Sequence, residues 1–201
     1  RLEQATTSVD GSPELAKEHL EEAMNETDRL SHLVEQLLQL ARAEGAILEK
    51  SYCNISQFLV DRANEWEYLA AERGLNINRQ IPAGLSANVS HVALREIIDN
   101  YVDNAFESSP QNGTITFMAS ETPTQLTLTI RDAGKGLSAE QREAAFERFW
   151  RDSETANRRS GSGLGLAIVS QLAQAGGLKV ALRESPLGGI DAVVEIPKTE
   201  S

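Results

Sequence analysis

The chain has 201 residues, a length that accommodates one sizeable hydrophobic core with an appendage, or two small domains. Hydrophobic residues make up 40% and charged residues 24% of it, as in ordinary soluble proteins, and no apolar run approaches the ~20 residues that cross a bilayer. The net charge of −11 argues against binding to nucleic acid or anionic lipid, because both require a basic protein surface. The single Cys53 excludes an internal disulfide and is interpreted as a small buried apolar residue.

The N-terminal part is predicted to be helical. The chain begins at Arg1 without a methionine, within helical sequence, so we expect a fragment of a longer protein. A turn over residues 10–13 separates the tail of one helix, residues 1–8, from a long helix over residues 14–44. A stripe with alternating spacings of three and four follows the long helix, and further leucines widen it. The stripe is Leu20, Ala23, Thr27, Leu30, Val34, Leu37 and Ala41, widened by Leu33, Leu38 and Leu40.

This spacing is typical of a heptad seam. A helix of ~30 residues is ~45 Å long, too long for one small domain to cover, so the stripe requires partner helices. We therefore predict a homodimer through a helical bundle. A single long helix packed along its own globular domain is the alternative.

A second domain is predicted after Gly45, which ends the long helix. The predicted domains are residues 1–46, a partial helical dimerisation domain, and residues 47–201. Alternating apolar residues predict strands, and apolar residues at helical spacing predict helices. The predicted strands cover residues 51–56, 75–81, 85–89, 114–120, 125–131, 178–184 and 190–196, and the predicted helices cover 57–73, 92–108 and the stretch from the glycine turn to Ala175.

A glycine-rich turn precedes the last of these helices. Its glycines, Gly161, Gly163 and Gly165, let the backbone approach an anion without a Cβ in the way. The first N–H groups of the helix have no partner within it, and the helix dipole favours negative charge there. The turn is thus a candidate phosphate site, although a glycine-rich turn alone fits an ordinary tight turn equally well.

Two asparagines four residues apart, Asn100 and Asn104, share one face of the 92–108 helix. Asp103 lies on roughly the same side. These oxygens could coordinate a hard cation such as Mg²⁺, which takes oxygen ligands and completes its shell with water and phosphate. Taken singly, each asparagine is more typical of a solvated helix surface.

Two further stretches carry chemistry. Asp132 ends a predicted strand, and Gly134 and Gly136 permit a sharp turn after it, so its carboxylate could accept a hydrogen bond from an exocyclic amine. In residues 146–151, Arg148 and Arg151 offer guanidinium groups for phosphate. The aromatic residues of that segment, Phe146, Phe149 and Trp150, form an apolar cluster that is more typical of a core.

In this order, the four stretches resemble the N, G1, F and G2 boxes of the histidine kinases of two-component signalling, members of the GHKL group of ATP-binding proteins. Residues 30–44 resemble the second helix of that family's dimerisation domain, so the resemblance covers nearly the whole chain. It implies an α/β sandwich with a mixed sheet and helices on one face, preceded by a long helix of a dimerisation bundle.

The resemblance also implies roles for individual residues. Asn104 would be the Mg²⁺ ligand with Asn100 beside it, Asp132 would bind the adenine amino group, and residues 137–160 would form a mobile lid over ATP. Asn100, Asn104 and Arg151 would be the catalytic residues. The nucleotide-binding set would be Asn100, Asn104, Asp132, Gly134, Gly136, Leu137, Phe149, Arg151, Gly161, Ser162, Gly163, Leu164, Gly165 and Leu166.

The sequence departs from the family pattern at several positions. Glu107 stands where a basic residue is common, Ala133 where asparagine is usual, and Ala175 where histidine often precedes the paired glycines. None of the three histidines, His19, His32 and His91, has the context of the family's phosphoacceptor. We therefore expect the phosphoacceptor helix to be mostly missing from this chain, and interpret each histidine as structural or exposed.

The implied reaction is transfer of the γ-phosphoryl of ATP to a histidine of the dimerisation domain, followed by transfer to an aspartate of a response regulator. Such transfer depends on positioning and charge neutralisation. The implied location is the cytoplasmic side of an inner-membrane sensor protein in a bacterium.

Two alternatives stay open. One is an ATPase of the wider group, but those relatives place a glutamate base one helical turn before the Mg²⁺ asparagine, where this chain has Asn100, which cannot take a proton from water. The other is a degenerate nucleotide-binding module that dimerises and docks a partner without turnover.

Overall fold

The computed structural model describes residues 13–43, 48–152, 162–186 and 188–198. The chain divides into two compact units, Arg1–Ala41 and Arg42–Ser201. The predicted helix tail over residues 1–8 and the predicted helix end at Gly45 lie outside the described residues. Within the described ranges, no helix combines the length and the apolar character needed to cross a membrane.

The first helix, α1, covers Pro13–Ala43 and has 31 residues. The predicted seam lies on it, and five of its large apolar side chains are 45% to 56% exposed. These are Leu20, Leu30, Val34, Leu37 and Leu38. Ala23 and Leu40 are buried. A helix that leaves so many leucines in water has an apolar surface available for a partner helix.

The second unit contains two sheets and four helices among its described residues. The strands are β1 Ser51–Asn54, β2 Asn76–Gln80, β3 Ser86–Val89, β4 Thr114–Glu121, β5 Gln125–Arg131, β6 Lys179–Glu184 and β7 Ile190–Pro197. The helices are α2 Ile55–Glu72, α3 His91–Ser108, α4 Ala139–Ala144 and α5 Gly165–Gly176. The main sheet has the order β2-β4-β5-β7-β6, while β1 and β3 form a separate antiparallel pair.

The main sheet is mixed. β2 pairs with β4 in parallel, and the remaining neighbours are antiparallel. Every second side chain of β5 is buried, which places one face of the sheet in the core. α3 contacts β4, β5 and α5, and Tyr101 of α3 donates a hydrogen bond through its hydroxyl to the Val193 carbonyl at 3.2 Å. The fully buried side chains of the unit include Leu94, Ile97, Ile98, Phe117, Leu126, Leu128 and Ile130.

Two elements differ from the sequence prediction, and a capping side chain is the reason in both. The predicted strand over 51–56 ends at Asn54, because Asn54 accepts a hydrogen bond from the Gln57 N–H at 3.0 Å and so begins α2 at Ile55. The short helix α4 was not predicted. Ser138 and Gln141 form a reciprocal capping box at its start.

Candidate functional site

Asp132 follows β5 and is 9% exposed. Its Oδ1 atom accepts hydrogen bonds from the main-chain N–H groups of Gly134 at 2.7 Å and Ile190 at 3.1 Å. Ser108, at the end of α3, lies beside this carboxylate, and its hydroxyl donates to the Ala105 carbonyl at 3.3 Å. Both backbone donors use Oδ1, so the carboxylate is held in one orientation and Oδ2 lies on its other side. A carboxylate fixed in this way is a preorganised acceptor.

The surroundings of Asp132 raise its pKa above the ordinary value of 3.8. Burial is the largest cause, because it removes water from the charged form. Hydrogen bonds from Gly134 and Ile190 lower the pKa, as does the neighbouring Ser108 hydroxyl, and the charge of Asp191 raises it. The ionised carboxylate is therefore short of solvation, and a ligand N–H that reaches it stabilises the charged form.

Gly189 packs against the Oδ1 side of Asp132, a role that the sequence analysis missed. Its φ is +76°, and a Cβ built on it would lie 2.5 Å from Oδ1 of Asp132. No side chain fits there. The available signal was the Gly188-Gly189 pair directly before the predicted strand over residues 190–196. Gly136 lies against the same residue, because its Cβ position is 3.3 Å from the Gly189 carbonyl.

One face of α3 carries three polar residues at intervals of four: Asn100, Asn104 and Ser108. Ser108 lies beside Asp132, as described above. Asn104, one turn earlier, is exposed, and so is the adjacent Asp103. Asn100 donates a hydrogen bond through Nδ2 to the carbonyl of Glu96 at 2.8 Å. An α-helix rises ~12 Å over eight residues, so this face runs from the Asp132 turn to Asn100.

The far end of that face meets the first turn of α5. A Cβ on Gly165 would lie 2.8 Å from Oδ1 of Asn100, so the asparagine packs directly on the glycine. Leu164, the N-cap residue directly before α5, makes no side-chain cap hydrogen bond. The main-chain N–H groups of the first turn therefore remain available to an anion. The structure thus brings Asn100 and Gly165 together.

The segment after α4 packs on the glycine turn. The Phe149 N–H donates to the Gly163 carbonyl at 2.8 Å. Gly163 has φ +72°, and a Cβ on it would lie 2.7 Å from the Phe149 carbonyl carbon. Phe149 itself has φ +64° and is 61% exposed, so its interpretation as a core residue is wrong. A left-handed non-glycine residue costs ~1–3 kcal/mol and typically marks a functional segment.

The other predicted site residues are buried or half-buried, or they lie outside the described residues. Leu164 is buried, and its N–H donates to Oγ of Ser162 at 3.1 Å. Leu137, Arg151 and Leu166 are half-buried. Gly161 and residues 153–160 lie outside the described residues, and the predicted mobile lid over 137–160 stays a prediction.

The Asn100–Gly165 contact leads to a test. Gly165→Ala places a methyl group 2.8 Å from Oδ1 of Asn100, and the asparagine has to move. We expect roughly tenfold weaker binding of an ATP analogue, the loss of about one hydrogen bond, as measured by calorimetric titration. The helix itself should not weaken, because alanine is a better helix former than glycine.

Gly176→Ala, in the last turn of α5, is the matched control for Gly165→Ala. A Cβ at Gly176 makes only ordinary contacts, 3.4 Å from Cγ of Leu178. Its affinity for the analogue should equal that of the unmodified chain. Equal affinities for all three proteins would contradict a ligand-binding role for the Asn100–Gly165 contact.

Residues 90–200 match the family model of histidine kinase-, DNA gyrase B-, and HSP90-like ATPases. This span is more than half of the chain and contains α3, the Asp132 turn and α5. The chain belongs to this ATPase family.

Curated relatives of this ATPase domain are histidine kinases. The chain is 29% identical over 191 residues to the signal transduction histidine-protein kinase BaeS of Escherichia coli (strain K12), a match that covers 94% of this chain and 41% of BaeS. It is 29% identical over 170 residues to the sensor histidine kinase WalK of Bacillus subtilis (strain 168), covering 82% of this chain and 28% of WalK. The chain therefore spans well under half the length of these relatives.

Solved structures of the family confirm the predicted α/β sandwich. Full-length ShkA in complex with AMPPNP superposes with a TM-score of 0.74 at 26% identity, over 92% of this chain and 40% of ShkA. The histidine kinase AdeS of Acinetobacter baumannii superposes with a TM-score of 0.70 at 20% identity, over 99% of this chain and 94% of AdeS.

Proposed function

We propose that this chain is the kinase portion of a two-component sensor histidine kinase. It binds Mg-ATP in the second unit and transfers the γ-phosphoryl group to a histidine of a dimerisation domain, from which an aspartate of a response regulator receives it. We place it on the cytoplasmic side of a bacterial inner-membrane sensor, as its similarity to named sensor kinases favours.

The arrangement along α3 carries this proposal. A buried acceptor, Asp132, lies at one end of the helix face, and the uncapped N-terminus of α5 lies at the other end, against Asn100. The acceptor suits the exocyclic amine of adenine, and the helix N-terminus suits phosphate. ATP carries an adenine amine at one end and phosphates at the other, so a single ATP molecule would use both features. ShkA, which carries AMPPNP, has the same fold.

Asn104 is the proposed Mg²⁺ ligand. It lies on the exposed face between the two ends of the site, with Asn100 one turn before it. Among the residues that the structure describes, no group of three or more His, Cys, Asp or Glu side chains could hold a metal ion. An amide oxygen together with the phosphates of the nucleotide suits Mg²⁺, which keeps several waters and prefers oxygen ligands. When bound, Mg²⁺ would neutralise charge on the phosphates.

The chain's own residues favour transfer over hydrolysis. Asn100 occupies the position from which an ATPase glutamate would activate water, and its amide donates to the Glu96 carbonyl. An amide cannot accept a proton from water at neutral pH. Arg151 follows the segment that packs on the glycine turn, and its guanidinium group is our proposed contact to the phosphates.

The decisive experiment supplies labelled ATP and Mg²⁺ together with a separate dimerisation helix that carries a phosphoacceptor histidine. Label on that helix supports the proposal. Release of labelled phosphate without labelled helix indicates an ATPase, and nucleotide binding with neither product indicates a degenerate module. The control is the same dimerisation helix with its phosphoacceptor histidine replaced by alanine.

Homodimerisation through α1 is the proposed mode of assembly, and it gives a second test. Each seam leucine left in water forgoes ~1.5–3 kcal/mol of burial, so we expect at least weak self-association. Leu30→Glu with Leu37→Glu should give a monomer by sedimentation at micromolar concentration, with ATP affinity preserved.

The matched control for that pair is Gln39→Glu with Arg42→Gln, which changes the net charge by the same two units away from the seam. It should associate like the unmodified chain. An unmodified chain that is monomeric at every concentration would contradict the proposed dimer for this chain.

A further inference from the structure

Lys135 sits in the turn after β5, between Gly134 and Gly136. Its Nζ atom lies 2.7 Å from Oδ2 of Asp152, the last described residue of the segment that follows α4. The Asp152 side chain is 7% exposed, whereas the Lys135 side chain is 53% exposed. The lysine therefore reaches from the surface of the Asp132 turn to a buried carboxylate.

The same carboxylate also accepts a hydrogen bond from a residue of α4. Gln141 donates a hydrogen bond through Nε2 to Oδ1 of Asp152 at 3.3 Å. Gln141 in turn accepts a hydrogen bond from the Ser138 N–H at 2.8 Å, as part of the capping box that begins α4. Three parts of the chain thus meet at Asp152: the Asp132 turn, the start of α4, and the segment after α4 that contains Asp152 itself.

A buried carboxylate depends on its partners because it has lost most of its water. Removal of one partner leaves the remaining charge poorly solvated, which is strongly unfavourable. The ion pair consequently ties the backbone at Asp152 to the Lys135 turn.

Arg151 lies between two such attachments. On its C-terminal side, Asp152 is joined to the Lys135 turn by the ion pair. On its N-terminal side, Phe149 donates its N–H to the carbonyl of Gly163 in the glycine turn. One attachment leads to the Asp132 end of the proposed nucleotide site and the other to its phosphate end. The position of the Arg151 backbone is therefore set by both ends of the site.

We propose that Lys135 and Asp152 are positioning residues that hold Arg151 at the phosphate end of the nucleotide site. This proposal rests on the proposed function, since it assumes that ATP occupies the site. Neither residue touches the nucleotide. The pair acts through Arg151, so its effect falls on recognition of the terminal phosphate and not on recognition of the adenine.

The test compares the affinities of the full chain for AMPPNP and ADP, each with Mg²⁺, by calorimetric titration. Lys135→Met should lower the ratio of AMPPNP affinity to ADP affinity about tenfold, the size of one lost charge-assisted contact. Lys135→Arg, which keeps a cation within reach of Asp152, should restore most of the ratio. A general loss of folding would weaken both nucleotides alike and leave the ratio unchanged.

Two further variants make the test specific. Lys198→Met removes an ion pair of the same unit, Lys198 to Glu121 at 2.6 Å, and should leave the ratio unchanged. Arg151→Met should lower the ratio by itself. Adding Lys135→Met to Arg151→Met should have no further effect, because both substitutions remove the same contact between Arg151 and the terminal phosphate.

An unchanged ratio in Lys135→Met, in a chain that binds both nucleotides, overturns the positioning role and leaves the proposed function intact. An additive effect of Lys135→Met and Arg151→Met overturns it as well. An unmodified chain that binds neither nucleotide overturns the proposed function first, and the positioning role with it.

Discussion

Asp132→Asn should lower the affinity for ATP about a hundredfold and leave the fold intact. The Oδ1 atom, which accepts the Gly134 and Ile190 N–H groups, is replaced by an amide oxygen that can still accept both hydrogen bonds. The Oδ2 atom becomes an amide nitrogen, a donor that faces the donor group of adenine. Loss of a charge-assisted hydrogen bond together with a mismatched donor is worth ~2–3 kcal/mol. Calorimetric titration with an ATP analogue measures the change.

Asp191→Asn is the matched control on the neighbouring strand. Asp191 forms a bidentate pair with Arg131 at 2.7 and 2.8 Å, and its side chain is 14% exposed, so it is also a largely buried aspartate. Asp191→Asn should lower the thermal unfolding midpoint but keep the ATP affinity. Equal affinity losses in the two variants would show that Asp132→Asn acts through the sheet and would contradict a direct contact with adenine.

The pH dependence of binding gives an independent check on Asp132. Burial raises the pKa of this carboxyl above 3.8, so acidification protonates it earlier than an ordinary aspartate. The ionised form is the better acceptor for an amine, and ATP affinity should therefore fall as the pH is lowered through this raised pKa. In Asp132→Asn, the part of the pH dependence due to this group should be absent.

The sequence was sufficient for the elements whose signal is local. The period-two pattern of residues 125–131 predicted β5 with its observed ends, because one face of that strand is buried along its whole length. Asn54 and Ser138 also carry local signals, since each is a residue type that caps helix N-termini. Ser138 stands three residues before Gln141, the spacing of a capping box, and this spacing would have predicted α4. The helix α1, predicted over residues 14–44, is observed over Pro13–Ala43, and its dimer seam stays a prediction.

The environment of Asp132 could not be predicted in the same way. Gly189 and Ile190 reach Asp132 only because β5 pairs with β7, which places Arg131 opposite Asp191. That register joins residues 58 positions apart along the chain, and nothing in the local pattern of either strand encodes it. The left-handed backbone of Phe149 is similar, since this residue packs against Gly163, which is 14 residues away along the chain. Motif resemblance therefore predicted residues of the candidate site, whereas only the pairing of distant segments showed which groups surround Asp132.

Arg62→Met should lower the free energy of unfolding of the second unit by ~3–5 kcal/mol. Arg62 of α2 is buried, and it donates to Oδ1 of Asp99 on α3 through Nε at 3.0 Å and also through Nη2. Trp66 donates through Nε1 to the same oxygen at 3.1 Å. The substitution leaves the charge of Asp99 without its main partner, and Arg95, 3.7 Å away and half exposed, compensates only weakly.

The matched control is Arg79→Met. Arg79 pairs with Glu67 of α2 at 2.8 Å, but the Glu67 side chain is 57% exposed, and such a pair is worth only ~0–1 kcal/mol. For a unit of this size, 1 kcal/mol shifts the unfolding midpoint by ~2–4 °C, so Arg62→Met should lower the midpoint by roughly 10 °C and Arg79→Met by little. Thermal unfolding followed by circular dichroism distinguishes the two.

The double variant Arg62→Met with Asp99→Leu separates the buried charge from the packing. Both side chains are then apolar and close to the original volumes, so the Asp99 carboxylate is no longer stranded. Glu65, the other partner of Arg62, keeps Arg95 at 3.8 Å, whereas the Trp66 N–H loses its acceptor, so part of the lost stability should return. If the double variant is no more stable than Arg62→Met alone, the cost arises from lost packing of the arginine stem and not from the stranded carboxylate. Equal midpoints for Arg62→Met and Arg79→Met would contradict the importance of the buried network altogether.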